Sequence, residues 1–160
     1  MIDRIVTFWE TTKHKLWVMW YISKACAVLL KRGIKHDLSK YSKTQEPYFR
    51  KYGKKLKKLT YGSPEYKENM ELLKPAIDDH YRKERHHPEH YKDTEDWLSP
   101  LHRMSTFDII EMLCDWRAAT RRHSDSTMKK SLDINAKRFD YDEVTKSILL
   151  EICEEIGLLD

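Results

Sequence analysis

The chain has 160 residues, 40% of them hydrophobic and 11% aromatic, which is the size of one domain with apolar bulk for a core and excludes a disordered chain. Four glycines and five prolines are too few for a turn-rich β-sandwich, so an all-α fold is expected. Thirty Lys and Arg against twenty-six Asp and Glu leave a net charge of only +4, so no overall field selects a nucleic-acid partner.

Residues 11–32 set His14, Val18, Tyr21, Ala25, Val28 and Leu29 near helical spacing, with Gly33 as the expected stop. Trp9, Trp17 and Trp20 recur at similar intervals and are expected in a core or an oligomer interface. The most apolar stretch, Leu16 to Leu30, is interrupted by Lys24 and is shorter than the roughly 20 residues a bilayer span needs, so no membrane segment is expected. Charged residues at the N-terminus do not suit a secretory signal. Cys26, Cys114 and Cys153 are odd in number and widely spaced, which suits reduced, buried thiols and a cytoplasmic setting.

Residues 34–61 open on His36-Asp37 and turn basic from Arg50 to Lys58, with Tyr48, Tyr52 and Tyr61 nearby. This block reads as a short helix and an exposed connection; single-strand binding by charge and stacking is the alternative to a solvated face. Ser63-Pro64-Glu65 then combines an N-cap, a first-turn proline and an acid near the positive dipole end. It predicts a helix to about Arg85, with a kink at Pro75 and Pro88 beyond its end. Residues 86–100 read as the longest loop. Ser105 and Asp108 form a capping-box pattern for a helix to about Arg122, and another helix is expected from about Ser126 to Phe139. Asp140 and Glu143 open the last helix, Val144, Ile148, Ile152 and Ile156 recur every four residues, and Gly157 is its stop. The sum is a bundle of five to six helices in one domain, residues 1–160.

The chemistry-bearing residues are histidines and carboxylates on these helices. His36 and Asp37 are adjacent and diverge by about 100° on a helix, so they can grip one ion only if other elements complete the shell. His14 lies on an apolar helix upstream, and Asp115 sits between Cys114 and Trp116 downstream. A charged group on such a face must be paired or bound to metal. Each has a structural alternative: helix capping for His36 and Asp37, a hydrogen-bonded core histidine for His14, and pairing with Arg121 or Arg122 for Asp115.

The order His14, His36-Asp37-Leu38-Ser39-Lys40, Asp115 resembles the metal-dependent phosphohydrolase superfamily named for its histidine-aspartate (HD) pair. The whole chain looks more closely like a small group of uncharacterised phage and bacterial proteins that share Lys-His-Asp-Leu-Ser-Lys, His-His-Pro-Glu-His, Glu-Met-Leu-Cys-Asp-Trp and Asn-x-x-Arg-Phe. Those motifs stand here at Lys35–Lys40, His86–His90, Glu111–Trp116 and Asn135–Phe139. The resemblance implies an HD-like helical bundle with His14, His36, Asp37 and Asp115 around Mn²⁺, Mg²⁺, Fe²⁺ or another divalent ion. The resemblance does not supply a substrate; a nucleotide or related phosphate ester, hydrolysed by metal-activated water, is expected. Relatives with two metals add two histidines, and His80 and His87 resemble that addition; a histidine-rich pocket rim is the other reading.

His80, Glu84 and His87 would share one helical face if the helix runs that far. Glu111 is a candidate to orient a metal-ligating imidazole or to act as general base, and Lys40, Arg121 and Arg122 are candidates for substrate phosphate. Two further functions stay open: a di-iron oxygenase of the same architecture, and a phage-type protein that binds a ligand without turnover. An oligomer is compatible with the aromatic helix.

Overall fold

The structure is a computed structural model that describes residues 2–56, 58–59, 63–92, 99–121 and 126–160. It is all-α, with no strand among the described residues. Two units separate, residues 1–36 and 37–160.

The first unit is one helix, α1 (Ile2–Lys35), about 51 Å long at 1.5 Å per residue. It begins nine residues before the expected start and passes through Gly33, where an added Cβ would meet nothing within 4 Å. A single glycine costs a helix about 1 kcal/mol, too little to end one whose neighbours favour it. The left-handed residue that follows the helix is Asp37, at φ 60° and ψ 11°. Trp9, Trp17 and Trp20 do not enter a core: all three are exposed, because a lone helix has no second element within its own unit to cover them. Trp17 stacks on Tyr21 with ring centroids 6.4 Å apart, and Lys24 Nζ lies 3.7 Å from the Trp20 ring centroid.

The second unit opens with a string of short turns: a 3₁₀ turn at Leu38–Tyr41, a helical turn at Glu46–Tyr48, a π turn at Phe49–Gly53 and another helical turn at Lys54–Leu56. These pack on α2 (Pro64–Lys83), where buried Asn69 donates to the Tyr52 carbonyl at 3.1 Å. Ser63 caps α2 as its sequence predicts, its hydroxyl accepting the Tyr66 N–H at 3.1 Å, and Pro75 lies inside the helix without ending it. A short 3₁₀ turn at Pro88–Tyr91 lies within the stretch expected as loop, and another, Pro100–Arg103, begins at its last residue.

Three helices carry the main core: α3 (Thr106–Thr120), α4 (Met128–Phe139) and α5 (Glu143–Glu155). Met112, Leu113, Trp116, Met128, Leu132, Phe139, Leu149 and Cys153 meet there, with Trp116 stacked parallel to Phe139. The Ser105–Asp108 capping box is formed in both directions. Asp140 is not the cap of α5 but the left-handed residue closing α4; Asp142 caps α5 by accepting the Thr145 N–H. Gly157, at φ 71°, ends α5 as expected: its N–H bonds Glu154 O while Leu158 N–H bonds Cys153 O, a Schellman closure that favours glycine. Of the cysteines only Cys153 is buried; Cys26 and Cys114 are exposed, contrary to their expected burial, since apolar neighbours in sequence do not fix which face a residue takes. Burial pushes the Cys153 thiol up to about 11.

Candidate metal centre

The site lies within the second unit, where a turn between α2 and α3 folds histidines back over the start of the unit. His80 is on the last turn of α2 and is buried. The helix stops at Lys83, and Glu84 adopts extended backbone at φ −103°, ψ 108°. His80, Glu84 and His87 therefore do not share a helical face. The chain instead turns back, with His87 N–H bonded to Glu84 O at 3.2 Å, and brings His87 Nε2 to 3.0 Å from His80 Nε2. His86, one residue earlier, is also buried.

Asp37 receives these rings. Its Oδ1 is 3.1 Å from His80 Nε2 and 3.7 Å from His86 Nε2. Its Oδ2 is 2.5 Å from Lys40 Nζ, one 3₁₀ turn on. The left-handed backbone of Asp37 aims the carboxylate this way, at a conformational cost that Asp tolerates better than most residues. One ligand atom from each of Asp37, His80, His86 and His87 falls within 4.8 Å of the others. Donors about 2.0–2.3 Å from a common ion are separated by comparable distances.

The outward nitrogens of two rings are already engaged. His86 Nδ1 faces Glu111 Oε1 at 3.2 Å from α3, and His80 Nδ1 faces Ser39 Oγ at 2.9 Å. An imidazole that gives Nδ1–H to an outer carboxylate or hydroxyl keeps the Nε2 lone pair for a cation. Burial is the main cause that lowers His87 to about 3, helped by the neighbouring His86 and His80 and opposed by Asp115 and Asp37, so its ring is neutral at ordinary pH. Imidazoles converging with a carboxylate are the chemistry of a divalent-metal site.

The expected residues divide as follows. Asp37, His80 and His87 come together, and Glu111 orients a ring, in this case that of His86. Asp115, one turn beyond Glu111 on α3, is half-buried and its charge is felt by both His87 and Tyr81. Lys40 pairs with Asp37. His14 and His36 belong to the first unit, His14 exposed along α1 and His36 bonded through its N–H to Gly33 O. Arg121 is exposed at the C-terminal end of α3, about 9 Å along the axis from Asp115. Arg122 lies outside the described residues. His90 turns away to donate to the Tyr81 carbonyl at 3.2 Å. His86, expected with His80, His87 and His90 in one histidine cluster but not among the ligands, joins them. Its signal was available in His86-His87-Pro88, where a proline forbids continued helix and frees both histidines from helical register.

Beside the cluster runs a groove of about 760 Å³. Tyr81 forms the wall between them, its ring 4.8 Å from that of His87, and the groove is lined by cations and acids together: Lys74 pairs with Asp78, Arg82 with Asp79 and Arg138 with Glu89, with Lys92 alongside. Burial, and then the nearby Glu89, raises the Tyr81 hydroxyl above its usual range.

Residues 5–155 match the family described as Family of unknown function (DUF5662), and the chain belongs to it. No curated protein and no solved structure matches the chain.

Proposed function

We propose that this family member is a metal-dependent phosphohydrolase acting on a nucleotide or related small phosphate ester. The observation that carries the reading is the convergence of His80, His86 and His87 on Asp37, with the outer nitrogens of His80 and His86 taken up by Ser39 and Glu111. These four residues would hold the ion. Three imidazoles with one carboxylate suit Mn²⁺, Fe²⁺ or another first-row ion better than Mg²⁺, which prefers oxygen. When bound, such an ion lowers the pKa of its water and polarises a phosphoryl oxygen.

The protein's own groups divide the remaining work. Glu111 accepts from His86 and fixes that ring, so positioning takes precedence over its role as a general base. Lys40 is poised at the carboxylate edge, where its ammonium can turn from Asp37 Oδ2 to an incoming phosphate oxygen. Asp115 adds negative charge on the α3 side, where it is felt at His87.

The test is metal analysis of the purified protein, followed by phosphate release from nucleoside mono-, di-, tri- and cyclic phosphates with Mn²⁺ or Fe²⁺ added. A stoichiometric first-row ion and release that Asp37→Asn abolishes are expected. Oxygen consumption by the iron-loaded protein in place of phosphate release would move the reading to the oxygenase. Ligand recovered intact from a metal-loaded protein would move it to the binder.

A further inference from the structure

We infer that buried Gln45, held by Asp79, sets the tautomer of His80 through Ser39, making Gln45 and Ser39 positioning residues for the candidate metal centre. Gln45 is fully buried in the turns after Asp37, and no charge or catalytic type marks it in the sequence. Its Nε2 lies 2.9 Å from Asp79 Oδ2, its Oε1 lies 3.3 Å from Ser39 Oγ, and Ser39 Oγ lies 2.9 Å from His80 Nδ1.

The direction of every proton along this line follows from its end. Asp79 is a carboxylate gripped by Arg82 and by Lys83, the latter at 2.6 Å, so it only accepts. The Gln45 amide must therefore point its NH₂ at Asp79, which leaves its carbonyl oxygen facing Ser39. Ser39 has one proton and spends it on that carbonyl. Towards His80 the hydroxyl can then only accept, so Nδ1 carries the hydrogen and Nε2 carries the lone pair. That lone pair faces Asp37 Oδ1 at 3.1 Å. Two acceptors held this close favour a cation between them, and the relay keeps His80 in the ligating form before any ion arrives. Glu111 does the same for His86 by direct contact, but His80 is served through two neutral groups, Ser39 and Gln45, that end on the Asp79 carboxylate.

The relay depends on the proposed metal reading only for its consequence on affinity, and the two can be separated. In chelator-treated protein at pH about 8, ¹⁵N spectra of the His80 ring report the tautomer directly. Wild type should show Nδ1–H. Gln45→Met keeps the volume but removes the acceptor, freeing the Ser39 proton to turn towards Nδ1. The His80 signals should then move to the Nε2–H pattern, and Mn²⁺ affinity should fall by about tenfold to a hundredfold. Should Gln45→Met fail to fold, Ser39→Ala removes the same link from a half-buried position, and loss of the Nδ1–H preference is again expected. Wild-type His80 with Nε2–H overturns the inference whatever its metal content. Nδ1–H in a protein that takes up no Mn²⁺, Fe²⁺ or other divalent ion supports the relay and overturns the metal reading instead.

Discussion

A neutral, partly buried histidine has a cost that pH exposes, and His87 bears it here. Its folded pKa, about 3, is below the ordinary 6.5, with burial the first cause. Between those values the unfolded chain binds a proton that the folded chain does not. By linkage, this group's contribution is intact above pH 6.5 and is lost as pH falls through the window, by up to about 1.4 kcal/mol per pH unit, levelling below pH 3. Urea unfolding of the chelated protein at pH 7, 6, 5 and 4 should show that slope. His87→Asn, which cannot take up the proton, should flatten it; an unchanged slope would assign the acid sensitivity to other groups. At this scale the sequence was a partial guide. Asp37, His80, His87 and Glu111 stand out by type, whereas Gln45 and Ser39 matter only through their neighbours in space. His86 stood in the same histidine cluster, but helical spacing favoured His80 and His87 as the ligands.

Among the elements, the turn between α2 and α3 has no core of its own and is fixed by one fully buried carboxylate. Asp108 closes the capping box of α3, and its Oδ2 also receives Arg85 Nη2 at 3.2 Å and Tyr91 Oη at 3.0 Å. Those two residues flank His86 and His87, so the cap that starts α3 also clamps the turn that presents the rings. Two substitutions separate the roles. Ser105→Ala removes only the cap hydroxyl and should cost about 1 kcal/mol in urea unfolding while leaving Mn²⁺ affinity nearly unchanged. Asp108→Ala strips several donors of their partner at once, should cost roughly 3 kcal/mol, and should weaken Mn²⁺ binding because the turn is released. Equal effects on affinity would mean that the clamp does not position the rings. The cap itself was legible in Ser105-Thr106-Phe107-Asp108, as were Ser63 and Gly157, because local hydrogen bonding decides them. The second duty of Asp108 was not, since its partners lie 17 and 23 residues away. Gly33 misled for the converse reason: a stop signal acts only where the chain also needs to turn.

For the whole molecule, the buried side chains concentrate in the second unit. Among the described residues every buried hydrophobic residue, from Leu73 to Cys153, lies beyond residue 36, while α1 carries Trp9, Trp17 and Trp20 exposed. The all-α class was readable from scarce glycine and from caps at regular intervals, but the division at His36 was not. The apolar pattern of α1 looks like a core helix in sequence, and only a three-dimensional partner distinguishes the two. The converging ligands Asp37, His80, His86 and His87 are also all in the second unit. A chain of residues 37–160 should therefore unfold in one cooperative urea transition, because it contains the buried hydrophobic residues, whose burial is the dominant favourable term. It should also bind one Mn²⁺ with affinity close to that of the whole chain, and His80→Ala in the shortened chain should abolish that binding. A shortened chain that folds cooperatively but has lost Mn²⁺ would show that residues 1–36 supply what the cluster lacks, with His14 and His36 the first to be substituted in the full chain. One that unfolds without a cooperative transition would show that α1 contributes to stability despite its exposed aromatic residues.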